Sequence, residues 1–315
     1  MKYLIFGAGA IGSVFGGYLS KAGHDVWLVG RSGHMRAIKT GGLHIRGIWG
    51  EHTIPLPFAV SGVKDIPKNE EFDAILISVK SYDTKEAVRE ILPFSGEETL
   101  VVSLQNGIGN VEAMCEAVGK ERCVGGRVIF GVEHHQPGEV EVTVYAEEVM
   151  LGCPGASSLL PKVKKLAQEI NDAGIPTKYT EEINKYIWAK LLYNAALNPL
   201  STLLESPYGY LSENEETRFL MKRIVEECFA VAKAENTPLF WEKSEDYFAV
   251  LMGRLIPSTA EHHPSMLQDI RKGKKTEIDA INGAIVERAK SLGVSTPVNE
   301  VVTLLIHALE KKEKA

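Results

Sequence analysis

The stretch "GAGAIG" at residues 7–12 limits what this chain can fold into more than any other part of it. An apolar run at 2–6 precedes it. The segment "IGSVFGGYLSKAG" follows, with helical spacing of its apolar residues and Gly23 as a C-cap. Glycines at 7, 9 and 12 have the G-x-G-x-x-G spacing. Gly7 permits a tight turn, Gly9 lets backbone approach a pyrophosphate, and Gly12 lets the helix pack on the strand. The helix N-terminus then offers amide N–H groups to phosphate. Gly7, Ala8, Gly9, Ala10, Ile11 and Gly12 are therefore the candidate cofactor cradle. The spacing alone is weak, because glycines are common. The strand before it and the helix after it supply the confirming context. The alternative is a merely compact strand–helix turn.

The rest of the first half repeats this plan. "DVWLVGR" and "FDAILISVK" read as strands, "TKEAVREILPF" as a helix, and "ETLVVSLQNGIGN" as strand, glycine turn and helix. Strands alternating with helices predict a parallel sheet covered on both faces. Residues 123–153 alternate, turn at Pro137-Gly138, and read as hairpin strands added to that sheet. Residues 160–172 read as a helix and "IPTKYT" as a last strand. Beyond 181 nearly everything is helical, with breaks expected at Pro199, Pro207, Pro238, Pro257, Pro264 and Pro297. "SENEET" at 212–217 reads as a helix entry, and "EKKEKA" at the end as a charged helix terminus or frayed tail. At 315 residues the chain exceeds the usual size of one core. The expectation is an α/β protein: an N-terminal Rossmann-type doubly wound sheet over 1–180, then an all-helical domain over 181–315.

Charge and cysteines exclude several classes. A net charge of −6, with no basic cluster outside "RKGKK", argues against nucleic acid. No apolar run approaches the roughly 20 residues of a membrane helix. The four cysteines form no C-x-x-C pair, as suits reduced residues in a cytoplasmic protein. His134-His135 and His262-His263 lack the convergent spacing of a metal site, so no metal is expected.

The end of the second strand usually carries an acid for the ribose 2′-hydroxyl of NAD. Here Arg31 stands there, and a guanidinium suits the 2′-phosphate of NADP(H). The alternative is a solvated loop arginine. Lys80 and Asn106 end the next two strands, at the edge where open α/β sheets bind ligands. Their bland readings are a solvated lysine and a turn-forming asparagine.

The helix "YIWAKLLYNAALNPL" at 186–200 raises a different question. Lys190, Asn194 and Asn198 recur every four residues and share one face, while apolar residues occupy much of the remainder. Buried polar groups cost free energy unless paired, and a substrate or cofactor could be the partner. A snorkelling lysine with two asparagines bonded to backbone is the alternative. Pro199 disfavours helical geometry at Asn198, so a kink or stop is expected there. A ketone reductase needs such a lysine: negative charge grows on the carbonyl oxygen as hydride arrives, and an ammonium stabilises it and supplies the proton. Glu277 and Asp279, read as early in a helix that also carries Asn282, could hold that ammonium. Ser265 could donate to a substrate carboxylate. Asp269 could orient a neighbouring donor or be a first-turn helix acid.

Together, the glycine turn, "SVK", "LQNG", "WAKLLYNAALNPLS", "PSMLQD" and "KKTEIDAINGAIVERAKSLGVSTPVNE" resemble the ketopantoate reductase (2-dehydropantoate 2-reductase) family, in order, over nearly the whole chain. The resemblance implies a Rossmann domain, a helical domain, and NADPH-dependent reduction of 2-dehydropantoate to (R)-pantoate in the pantothenate and coenzyme A pathway. It implies Gly7, Gly9 and Gly12 at the pyrophosphate, Arg31 at the 2′-phosphate, and Lys80 and Asn106 near the reactive end of the cofactor. Lys190 looks like the proton donor. Asn106, Asn194, Asn198 and Ser265 would contact the substrate, and Glu277 would hold Lys190 or the nicotinamide ribose. A small 2-oxo acid is the expected partner, and a homodimer is possible. Two positions depart from the pattern. Tyr208 follows Pro207 where some members have asparagine, and "HHP" precedes Ser265 in place of small polar residues. The remaining alternatives are a reductase of another small 2-oxo or 3-hydroxy acid and a non-catalytic NADP(H)-binding regulator.

Overall fold

The computed structural model describes residues 1–312; the last three residues of the "EKKEKA" tail lie outside it. The chain divides into two compact units. One comprises Met1–Gln105 and Asn110–Ile183; the other comprises Asn106–Gly109 and the chain from Asn184 onward.

The first unit carries β1 (Lys2–Phe6), α1 (Ala10–Lys21), β2 (Asp25–Val29), α2 (Ser32–Gly41), β3 (Leu43–Gly47), β4 (His52–Ile54), β5 (Ala59–Val60), β6 (Ala74–Ile77), α3 (Thr84–Ile91), β7 (Leu100–Ser103), α4 (Asn110–Val118), β8 (Cys123–Arg127), β9 (Phe130–Gln136), β10 (Glu139–Tyr145), β11 (Val149–Gly152), α5 (Leu160–Asp172) and β12 (Thr177–Tyr179). Its main sheet has eight strands in the order β12-β11-β8-β7-β6-β1-β2-β5. The pairs are parallel except β8 with β11. The central strands β1, β6 and β7 are apolar apart from Lys2 and Ser103 at their ends, as suits strands covered on both faces. Val14, Phe15, Val163 and Leu166 pack on one face; Val88, Ile91 and Met114 pack on the other. From β5 to β8 the order is that of a dinucleotide-binding sheet.

The hairpin at Pro137-Gly138 forms as expected, but it does not join this sheet. β9 and β10 make a separate four-stranded sheet, β4-β3-β10-β9. Alternation marks a strand without naming its partner, and the partner here is β3, which pairs in parallel with β10 from His44↔Glu139 to Gly47↔Val142. The inner residues Leu43, Ile45, Val140 and Val142 belong to the α1 side of the core. Gly17 of α1 makes this approach possible: a Cβ there would lie 2.6 Å from Ile45 Cδ1. Only β8 and β11 of the segment 123–153 enter the main sheet.

The second unit is helical: α6 (Ile183–Leu204), α7 (Tyr208–Glu213), α8 (Glu215–Ala234), α9 (Ser244–Val250), α10 (Ile256–Ser258), α11 (Ser265–Arg271), α12 (Asn282–Leu292) and α13 (Pro297–Lys312). Glu215 and Glu216 open α8, as the acidic entry predicts. The central element is α6. Trp188, Leu191, Leu192, Ala195, Ala196, Leu197 and Leu200 are all buried in one core cluster, which is why its sequence shows no broad polar face. Each buried leucine contributes about 1.5–3 kcal/mol.

Pro199 does not break α6, contrary to expectation. Proline has no N–H, so the Ala195 carbonyl one turn back loses its helical donor. The amide Nδ2 of Asn282 donates to that oxygen at 3.1 Å. The same Nδ2 reaches Asn299 Oδ1 at 3.0 Å, and Asn299 in turn donates to Glu227 Oε2 at 2.7 Å. Glu227 also accepts the backbone N–H groups of Val298 and Asn299, capping the start of α13 from outside. The helix therefore continues through the proline because a buried side-chain network replaces the missing bond.

Candidate functional site

The glycine turn sits where the main sheet reverses direction. From β1 the chain runs outward through β2 and β5 on one side, then crosses to β6, β7 and β8 on the other. Ligands bind at such switch points, at the carboxyl ends of the strands. Gly7 has a φ of +102°, and a Cβ on it would stand 2.5 Å from the Val79 nitrogen. The Ser78 hydroxyl donates to the Gly7 carbonyl at 2.8 Å. A Cβ on Gly12 would lie 2.6 Å from that same carbonyl. The packing of the turn against the loop after β6 thus demands both glycines. Gly9 is different. It is exposed, and nothing lies closer to a Cβ there than 3.9 Å. No protein contact requires glycine at that position, whereas a group laid flat on the backbone would. The first turn of α1 has neither a side-chain cap nor an acid, so its N–H groups suit an anion. The turn fits a dinucleotide pyrophosphate on these grounds.

Two charged candidates flank the turn. Arg31 is exposed and caps α2 through its carbonyl, which accepts the Met35 N–H at 3.0 Å. It follows Gly30, where a Cβ would lie 3.2 Å from the Ala8 Cβ. Lys80 lies three residues past the end of β6, not at the strand end, and directly follows Val79, the residue packed on Gly7.

A buried pair behind the turn escaped the sequence reading. The Gly138 N–H donates to His34 Nδ1 at 2.9 Å, so the proton sits on Nε2, which meets the fully buried Ser13 Oγ at 2.9 Å. His134 also approaches His34 Nδ1, at 3.1 Å. Burial, reinforced by His134, pushes His34 down to about 4 and keeps it neutral.

In the helical unit, Asn106–Gly109 dock against the turn that precedes α12. The Ile108 N–H donates to the Ala280 carbonyl at 3.0 Å, and any side chain on Gly107, at φ +82°, would collide with that carbonyl. This fixes Asn106 between two charged groups. Lys190 Nζ donates to Asn106 Oδ1 at 2.7 Å, and Asn106 Nδ2 donates to Glu277 Oε2 at 3.2 Å. Glu277 is buried, and it precedes a short 3-10 turn (Ile278–Ala280) instead of standing early in a helix. The result is an ammonium, an amide and a carboxylate in one hydrogen-bonded row. An amide between the two ionised groups relays their orientation, since its oxygen faces the cation and its nitrogen the anion.

Further along α6, Asn194 is buried, and its side chain makes no hydrogen bond among the described residues. Asn198 Oδ1 accepts the Tyr208 hydroxyl at 2.7 Å. Ser265 is less engaged than expected. It is the exposed first residue of α11, and no hydrogen bond ties it to Asn194 or Asn198. Asp269 is buried in the middle of α11, not in its first turn. Asp279 pairs outward with Lys275 and His307. Asn282 serves Pro199, as described above. A proline inside a helix orphans a carbonyl, and that rule could have pointed to a donor such as Asn282. No group of three or more His, Cys, Asp or Glu suited to a metal occurs among the described residues. No helix among them is long and apolar enough to cross a membrane.

Two family models match the chain: "Ketopantoate reductase PanE/ApbA" over residues 3–155 and "Ketopantoate reductase PanE/ApbA C terminal" over 182–310. The chain is 44% identical to 2-dehydropantoate 2-reductase of Aquifex aeolicus, covering 98% of this chain and 97% of that protein. Among solved structures it is similar to a PanE/ApbA family ketopantoate reductase from Ralstonia eutropha, with 32% identity, a TM-score of 0.87 and full coverage of both chains. It is also similar to a D-mandelate dehydrogenase solved with NADH and anilino(oxo)acetate, with 30% identity, a TM-score of 0.91 and full coverage of both. A nicotinamide-dependent oxidoreductase fold thus runs through both units, and the chain belongs to the ketopantoate reductase family.

Proposed function

We propose that this protein reduces 2-dehydropantoate to (R)-pantoate with NADPH, in the cytoplasm. The observation that carries the reading is the Lys190–Asn106–Glu277 row, an ammonium held by an amide that a buried carboxylate holds in turn. NADPH, when bound, supplies the hydride. Gly7, Ala8, Gly9, Ala10, Ile11 and Gly12 would hold its pyrophosphate through backbone. Arg31 would meet the 2′-phosphate, and Lys80 and Asn106 would lie toward its reactive end. Lys190 gives its proton to the carbonyl oxygen as negative charge develops there, and takes one back from water afterwards. Glu277 keeps Asn106 turned so that its oxygen faces the ammonium. Asn194 and Asn198 bind the substrate's oxygens, with Ser265 at its carboxylate.

A second reading is favoured by one feature. Tyr208, bonded to Asn198, has the His262 ring against its own, with centroids 5.3 Å apart. The similar D-mandelate dehydrogenase was solved with an aromatic 2-oxo acid derivative, anilino(oxo)acetate. A bulkier 2-oxo acid is therefore the competing substrate. NADPH oxidation with 2-dehydropantoate against a panel of aliphatic and aromatic 2-oxo acids separates the two. The first reading expects 2-dehydropantoate to have the highest kcat/KM. A homodimer is proposed on Val301, Leu304 and Leu305, which are exposed on one face of α13, and the molar mass in solution decides it.

A further inference from the structure

We infer that Tyr208 is a positioning residue that fixes the amide of Asn198, so that the amide offers its N–H groups, and not its oxygen, to the substrate. The inference deepens the proposed function and rests on its reading of Asn198 as a substrate contact.

An asparagine amide has one acceptor oxygen and two donor hydrogens, and the two ends differ little in shape. Which end faces a substrate is therefore set by what holds the other end. Here the Tyr208 hydroxyl lies 2.7 Å from Asn198 Oδ1. Tyr208 is only 2% exposed, and burial raises its hydroxyl well above the ordinary tyrosine range, so it stays a donor at any working pH. With Oδ1 taken, Nδ2 is the free end of the amide. It makes no hydrogen bond among the described residues, yet it is not among the polar atoms sealed from solvent without a partner. Asn198 thus presents a donor toward accessible space. Lys190 is also a donor, so α6 shows its ligand a row of N–H groups suited to a carboxylate, a carbonyl or a hydroxyl oxygen.

The tyrosine cannot swing away easily. Its ring meets Tyr193 edge-on with centroids 5.7 Å apart and lies tilted against His262 with centroids 5.3 Å apart. Tyr193 is itself tied through its hydroxyl to Thr259 at 2.7 Å. The backbone of α7 is pinned by the Tyr208 N–H to the His262 carbonyl at 3.1 Å and by the Gly209 N–H to the Ala260 carbonyl at 2.8 Å. Removing the hydroxyl alone leaves this packing in place but frees the amide to turn its oxygen outward. An outward oxygen repels a carboxylate.

The test is a double-mutant cycle of Tyr208→Phe and Asn198→Ala, with NADPH and the 2-oxo acid that the unmodified protein turns over fastest. Tyr208→Phe should raise KM for the oxo acid roughly tenfold, the loss of one hydrogen bond to a charged group. It should leave KM for NADPH unchanged and kcat within about threefold, as befits a group that acts on binding. The double variant should be no worse than Asn198→Ala alone, because Tyr208 acts only through that amide. Additive losses, or a Tyr208→Phe variant with unchanged KM, would overturn the inference while leaving Asn198 as a substrate contact. An unchanged KM in Asn198→Ala would overturn both. If Asn198→Ala fails to fold, Asn198→Asp replaces it in the cycle. It keeps an acceptor for Tyr208 but shows the substrate an anion, so its KM should rise more than that of Tyr208→Phe. A smaller rise contradicts the proposed orientation.

Discussion

The sheet-carrying unit and the helical unit prepare for a ligand in opposite ways. At the carboxyl end of β1 the groups on offer are main chain: an uncapped helix start, and Gly9 with open space above it. On α6 and the loop at Asn106 they are side chains, three of them held by others: Lys190 by Asn106, Asn106 by Glu277, Asn198 by Tyr208. Backbone groups are positioned by the fold itself, so that site needs only residues small enough to stay out of the way. Side chains have rotamers to lose, so that site needs supports, and two of them, Glu277 and Tyr208, are buried. The difference predicts how each breaks. The glycine turn should fail through steric conflict, and the α6 row through loss of one hydrogen-bonded partner.

The largest combined effect on fold and cofactor binding should come from Gly7→Ala. Its Cβ would be forced to 2.5 Å from the Val79 backbone at a φ of +102°. We expect a loss on the order of 3 kcal/mol in stability together with NADPH binding weakened beyond about a hundredfold. Equilibrium denaturation and cofactor titration read both. Asn282→Ala breaks the other kind of support. It leaves the Ala195 carbonyl buried and unpaired beside Pro199, at an expected cost of about 1–3 kcal/mol in chemical denaturation. NADPH affinity should not change. An unaltered stability would mean that α6 tolerates Pro199 without help.

A smaller effect is expected from acid. His34 has its folded-state pKa depressed to about 4 from an ordinary 6.5. The unfolded chain therefore binds the proton first as pH falls. The contribution of His34 is fully present above pH 6.5 and is lost as pH drops toward about 4. His34→Gln should flatten the stability profile in that window by on the order of 1–2 kcal/mol. A variant with the same slope as the parent would exclude His34 as its source. The smallest change should follow Arg31→Ala: about a tenfold rise in KM for NADPH, with NADH unaffected and no shift in Tm. Equal losses for both cofactors would remove the 2′-phosphate from the account.

These contrasts also explain what could be read from sequence. The glycine turn was legible because its spacing between strand and helix is a local pattern, although the residues that exclude a side chain on Gly7, Ser78 and Val79, come from the loop after β6. The apolar strands and α5 were legible for the same reason. The polar stripe of α6 was visible as a period of four. What could not be read were long-range partners. Nothing in "VGGRVIFGVEHHQPGEVEVTV" says that β10 pairs with β3 and not with the main sheet. Nothing near Pro199 says that Asn282, 83 residues on, donates to Ala195. Asp269, open in sequence to being a first-turn acid, lies in the middle of α11, and Ser265 is exposed at the start of that helix.

The central claim is the division of labour: main chain in the first unit for the cofactor, Lys190 in the second for the proton. Lys190→Ala, assayed for turnover and titrated with NADPH in parallel, tests it most directly. The variant's kcat should be lower by about 100- to 10,000-fold, the usual worth of a positioned general acid, with NADPH affinity within about threefold of the parent. Near-normal turnover, or a turnover loss matched by an equal loss of NADPH binding, would contradict it.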